Sequence, residues 1–124
     1  MNLRESIIYH YFDAWIDNDS SILNDIFDDS IIYSECYGPE YHGVKQVKMW
    51  FSDWHAHGKV LRWDIKRFMH DGMSTIVEWY FECDYNKKID GFDGVSIIEF
   101  TDDNRIKSVK EFESKKEHIY PYGK

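Results

Sequence analysis

The residue types of this chain point to acid–base chemistry if to any. No HExxH or Cys-His spacing that could hold a metal is present, and neither a Gly-rich phosphate loop nor a nucleophile elbow occurs, so no metal or other cofactor is expected. Cys36 and Cys83 read as free thiols packed as small core residues in a reducing compartment. His55 and His57 stand two apart on a helical stretch and do not face together, while His42, His70 and His118 fall in turns or the tail. Only His42 is kept, as a lower-ranked acid or base. The stronger candidates are Tyr11 and Glu35. Tyr11 lies on an apolar helical stripe, so its ring is buried and its hydroxyl needs a partner in the protein or in a ligand. Glu35 falls in the β-rich run Ile31 to Tyr37, where alternation puts Ile31, Tyr33 and Tyr37 on its face and Ile32 and Cys36 opposite. Alternation alone leaves open whether that face looks inward or to solvent.

These side chains must be positioned by recognisable elements. Leu3, Ile7, Tyr11 and Trp15 recur every four residues, with Ile8, Phe12 and Ile16 widening the stripe, which predicts an amphipathic helix over 3–17 started by Asn2 with Glu5. Asn18-Asp19 breaks it, and Asp19 or Ser20 can cap a short second helix with Ile22, Leu23, Ile26 and Phe27 on its apolar face. Ile31 to Tyr37 is a strand closed by Gly38-Pro39. Val44, Val47, Trp50, Phe51 and Trp54 then repeat at helical spacing up to Gly58.

The stretch Val60 to Cys83 organises the rest. It reads as two strands turned back at His70-Asp71-Gly72, with Leu61, Trp63 and Ile65 on one arm and Val77, Trp79 and Phe81 on the other forming an aromatic face. The opposite face carries Arg and Lys on one strand against Glu on its partner, as an exposed or dimer-buried sheet face would. Phe92 to Phe100 and Ile106 to Phe112 supply two further strands, separated by the turn Asp102-Asp103-Asn104. Helices followed by an antiparallel meander give an α+β fold, a cone-shaped α+β barrel in which a curved, mostly antiparallel sheet wraps the N-terminal helices and leaves a cavity. No repeat or linker interrupts residues 1–124, which are expected to form a single domain.

Composition narrows the partners. A formal net charge of −8 with no basic run argues against nucleic acid. No signal-peptide pattern opens the chain and no run approaches membrane length, so a cytoplasmic protein with no membrane partner is expected. Aromatic residues make up 18% of the chain, roughly double average usage, more than a compact core needs. A ring-lined binding site or a large dimer interface would account for them.

From YHYFDAWIDNDSSILNDIFDDSIIY through GPEYHGVKQVKMWF, VEWYFEC, FDGVSIIEF and NRIKSVKEF, nearly the whole chain resembles the nuclear transport factor 2 and ketosteroid isomerase superfamily, which also holds the SnoaL-like polyketide cyclases and scytalone dehydratase. The run FDGVSIIEF with the upstream VEWYFEC looks most like a bacterial subgroup of that superfamily. In the ketosteroid isomerase register, the resemblance puts the oxygen-polarising tyrosine on Tyr11, the catalytic carboxylate on Glu35 and the second oxyanion-hole donor on Ser96. A serine there departs from that enzyme's protonated aspartate and is a poorer enolate stabiliser. The same register turns Glu111 inward with Val109, where Arg67 is its partner if it shares that face, whereas a one-residue slip turns Glu111 outward.

The resemblance therefore implies an apolar or aromatic small-molecule ligand. Trp50, Trp63, Trp79 and Ile98 are its expected contacts, with Glu111 and His42 near the cavity and Tyr11, Glu35 and Ser96 as the catalytic candidates. Desolvation beside the tryptophans would raise Glu35 toward a useful general base for isomerisation, dehydration or aldol-type cyclisation. The alternative is a non-catalytic ligand-binding or dimeric assembly module with a filled cone. In either reading a homodimer through the outer sheet face is expected.

Overall fold

A computed structural model describes residues 2–124. The first helix, α1 (Leu3–Asp17), starts where the Asn2 side chain accepts from the Arg4 and Glu5 backbone N–H groups, and it stops at Asn18, whose φ of 52° is left-handed. Its buried face is Ile8, Tyr11, Phe12 and Trp15, whereas Leu3 at the head of the stripe stays exposed. The second helix, α2 (Leu23–Ile26), is a single turn, shorter than its apolar spacing suggests, because Phe27 already enters a strand.

That strand, β1 (Phe27–Ser34), and a short partner absent from the sequence reading, β2 (Glu40–His42), form a hairpin. The predicted strand over 31–37 is thus displaced toward the N-terminus. Its last residues form the hairpin tip, where Glu35 N–H donates to the Pro39 carbonyl at 2.9 Å and Gly38 N–H donates to the Glu35 carbonyl at 3.2 Å. Gly38 takes a φ of 109°, which only glycine adopts freely. The helix α3 (Val44–His55) follows, and both ring nitrogens of His55 lie near backbone carbonyls, 2.8 Å from Phe51 and 2.9 Å from Trp15. One imidazole thereby ties the end of α3 to the end of α1.

The remaining chain is a meander of β3 (Gly58–Asp71), β4 (Ser74–Tyr85), β5 (Lys88–Phe100) and β6 (Ile106–Lys115). The six-stranded sheet has the order β2-β1-β6-β5-β4-β3, antiparallel throughout except that β1 runs parallel to β6. Local pattern could not reveal that pairing, since it joins the strand before α3 to the last strand of the chain. The α+β cone is the architecture observed, with α1, α2 and α3 packed in a curved, unclosed sheet.

Simple alternation along β3 fails at Leu61. The register against β4 shifts between Val60 and Arg62 and again between Ile65 and Arg67, so two bulges bend the strand. Val60 and Trp63 are buried as a result, and Leu61 is pushed to the surface. On the outer face Arg67 Nε donates to Glu78 at 2.7 Å, Lys66 donates to Asp93 at 2.6 Å, and Arg62 pairs with Asp64 while lying over the Tyr80 ring. No helix among the described residues is long and apolar enough to cross a membrane.

Candidate functional site

The cone encloses a cavity of about 910 Å³ that opens between α3, the hairpin tip and the far ends of β4 and β5. All five tryptophans reach it: Trp15 from α1, Trp50 and Trp54 from α3, Trp63 from β3 and Trp79 from β4. Trp50 and Trp54, one helical turn apart, point the same way toward Trp15, at centroid distances of 4.8 and 5.4 Å. On the sheet side Trp63 meets Trp79 edge-on at 5.7 Å and stacks on Phe12 at 3.7 Å. Tyr41 stacks on Trp50 at 4.7 Å, and Tyr33 packs against the same indole at 4.9 Å.

Two carboxyl groups are set among these rings. Glu35, half-buried at the hairpin tip, accepts from the Tyr41 hydroxyl at 2.8 Å. Burial raises its pKa above the ordinary carboxylate value, and the Tyr41 bond opposes the shift. Glu111 on β6 accepts from the Tyr33 hydroxyl at 2.7 Å, and that hydroxyl accepts from Tyr11 at 2.8 Å. Protein surrounds the Glu111 carboxyl except where it borders the cavity, and its pKa is pushed up to about 8, chiefly by burial and further by the charge of Glu35, against the Tyr33 bond. Since Oε2 already accepts from Tyr33, the proton of neutral Glu111 belongs on Oε1. Among the described residues no salt bridge reaches either carboxyl.

The expected site residues fall into distinct places. Glu35, Glu111, Trp50, Trp63 and Trp79 line the cavity. Tyr11 does not. It is 1% exposed, its ring is packed edge-on against Phe27 and Trp63, and its hydroxyl is spent on Tyr33. Ser96 lies behind the wall, where its Oγ accepts from Trp79 Nε1 at 3.0 Å, and Ile98 is buried beside it in the core. The indole of Trp79 reaches Ser96 by crossing Gly94, where any Cβ would collide with the ring and with the Phe112 carbonyl. His42 is exposed and paired with Glu40 at 2.7 Å, outside the cavity. Arg67, read as a possible partner for Glu111, is on the outer face with Glu78 instead, because the second β3 bulge turns it away.

The sequence reading missed Tyr33, Tyr41, Trp15 and Trp54 as lining residues. Tyr33 shares the alternation face of Glu35, and Trp54 stands four residues from Trp50, so both carried a signal. Tyr41 carried none, because β2 is too short to be read. Cys36 and Cys83 also line the cavity, with burial pushing their thiols up to about 12 and about 11, so neither is a ready nucleophile. Among the described residues no group of three His, Cys, Asp or Glu side chains is placed to hold a metal.

A family model described as the SnoaL-like domain matches residues 8–109, which include most of α1 and every strand as far as Val109. The chain belongs to the SnoaL-like domain family. No curated protein sequence matches it. Solved structures similar to this SnoaL-like chain include an epoxide hydrolase of the LEH-like type from M. tuberculosis, with a TM-score of 0.79, 14% identity and coverage of 90% of this chain and 82% of that one. Another is a protein with a ketosteroid isomerase-like fold from Catenulispora acidiphila DSM 44928, in complex with trimethylamine, with a TM-score of 0.76, 15% identity and coverage of 86% and 83%. A third is an NTF-2 like protein of unknown function from Burkholderia xenovorans LB400, at 0.75, 21% identity and coverage of 96% and 88%. At these identities the likeness shows the SnoaL-like fold alone.

Proposed function

We propose that this SnoaL-like protein binds a small organic molecule in the cone and moves a proton at a carbon next to a carbonyl group. The observation that carries the reading is that two carboxyl groups, Glu35 and Glu111, share an aromatic cavity and that, among the described residues, neither makes a salt bridge. A filled cone, as a pure assembly module would have, is at odds with about 910 Å³ of space.

In this reading ionised Glu35 takes the proton from carbon. The C–H electron pair forms the enol double bond, and the carbonyl electron pair moves to oxygen, where neutral Glu111 supplies a proton or a hydrogen bond. Tyr41 keeps Glu35 in place, and Tyr33, backed by Tyr11, does the same for Glu111. Tyr11 is then a positioning residue that acts through Tyr33. Isomerisation, dehydration and aldol-type cyclisation all begin with this step. We also propose a homodimer through the outer sheet face, where Phe112 and Tyr80 stand among the ion pairs; sedimentation at micromolar concentration tests it.

The experiment for the chemistry is deuterium exchange into an aromatic ketone, 2-tetralone, followed by NMR in D2O. Exchange above the buffer rate that is lost in Glu35→Gln supports the reading. Equal exchange in the variant and the native protein removes Glu35 from it.

A further inference from the structure

We propose that the ligand of this cavity is an organic cation, an alkylammonium group held among the indoles beside Glu35 and Glu111. This rests on the reading of the cone as a small-molecule site and adds the charge of what fills it. The argument starts from a mismatch between charge and surroundings. Four carboxyl side chains border the space, Glu35, Glu111, Asp53 and Asp90, against one lysine, Lys88, and the imidazole of His57. The two deepest acids are bonded only to phenols, and among the described residues no salt bridge reaches them.

Each possible ligand charge has a different consequence. An anion would meet the field of those carboxylates and of a chain whose formal charge is −8. A neutral apolar molecule would displace water from Glu35 and put nothing in its place, deepening a desolvation the protein already bears. A soft alkylammonium supplies the missing counter-charge without demanding the tight hydration of a metal ion. Trp50, Trp54 and Trp15 border the same space and are of the ring type whose faces attract cations most strongly. The rings exclude water and so strengthen the attraction between the carboxylate and the ammonium.

The test titrates the full chain at pH 7.5, by tryptophan fluorescence, with three probes of one shape. These are benzyltrimethylammonium, its uncharged carbon isostere neopentylbenzene, and the anion benzylsulfonate. The expected result is that the cation binds at least ten-fold more tightly than the isostere and that the sulfonate does not bind. In Glu35→Gln the cation should lose about ten-fold in affinity and the isostere should not. An isostere that binds as well as the cation overturns the proposal and leaves the small-molecule reading standing. If none of the three binds at millimolar concentration, both fall. Should the variant fold poorly, the comparison of cation with isostere on the native chain still decides.

Discussion

Tyr33 on β1 donates to Glu111 Oε2 on β6 at 2.7 Å, across the single parallel pair of the sheet. The bond joins the most strongly shifted carboxyl of the cavity to a phenol that a second phenol, Tyr11, holds from behind at 2.8 Å. Ionised, Glu111 would be bonded and yet uncompensated, because a phenol shares a proton but brings no positive charge.

The first prediction concerns pH. The Glu111 carboxyl moves from an ordinary 4.5 to about 8 on folding, so the folded state holds the proton more tightly than the unfolded one. Its contribution to stability is complete below 4.5, declines as pH rises from there, and is lost above about 8. Glu35, also raised by burial, adds a slope of the same sign. The other groups facing Glu111 are Tyr11, Tyr33, Tyr41 and Cys36, all pushed upward, so they stay protonated through this window. Glu111→Gln, which mimics the neutral form, should match the native protein near pH 5 and exceed it in Tm at pH 8 to 9. A Tm difference that does not grow with pH contradicts this.

The second prediction separates the two phenols. Tyr33→Phe removes the donor to Glu111 and the acceptor of Tyr11 together, leaving two buried polar groups unpaired at a cost of about 1–3 kcal/mol each. Tyr11→Phe removes only the outer member, and about 0.5–1.5 kcal/mol is expected. Urea unfolding at pH 6 should rank them in that order.

Gly94 and Ser96 test the wall of the cavity. Gly94→Ala forces the Trp79 indole off β5, an overpacking expected to cost about 1–3 kcal/mol and to change the near-UV circular dichroism. Ser96→Ala leaves the ring seated but orphans its N–H, at about 1–3 kcal/mol. In the proton-exchange assay Ser96→Ala should retain most of the activity, since Ser96 does not reach the cavity; a loss as large as that of Glu35→Gln would restore it as a reacting group.

How much of this was legible depends on the range over which each signal acts. The bounds of α1 follow from a stripe and two asparagine caps, all within eighteen residues, and the structure reproduces 3–17. The long hairpin turns where Gly72 stands, though the bulges that expose Leu61 and turn Arg67 outward leave no mark in alternation. The cone itself was readable from element order, whereas the parallel partner of β1 was not, because it lies more than seventy residues away along the chain. The same gap explains the site. Tyr11 and Tyr33 are equally plausible as tyrosines in their own elements, and only the pairing of β1 with β6 decides which one touches Glu111.

The parallel pairing of β1 with β6 also sets an order of events during synthesis. A nascent chain that has left the ribosome only as far as Phe100 can hold its helices and the β3–β4–β5 meander, but β1 still has a bare edge and Tyr33 has no acid to meet. The pocket wall and its buried acid arrive together in the final strand. A pause or truncation before residue 106 would leave the facing edges of β1 and β5 unpaired, bare strand edges of the kind that other chains can join, and the cavity without its acid.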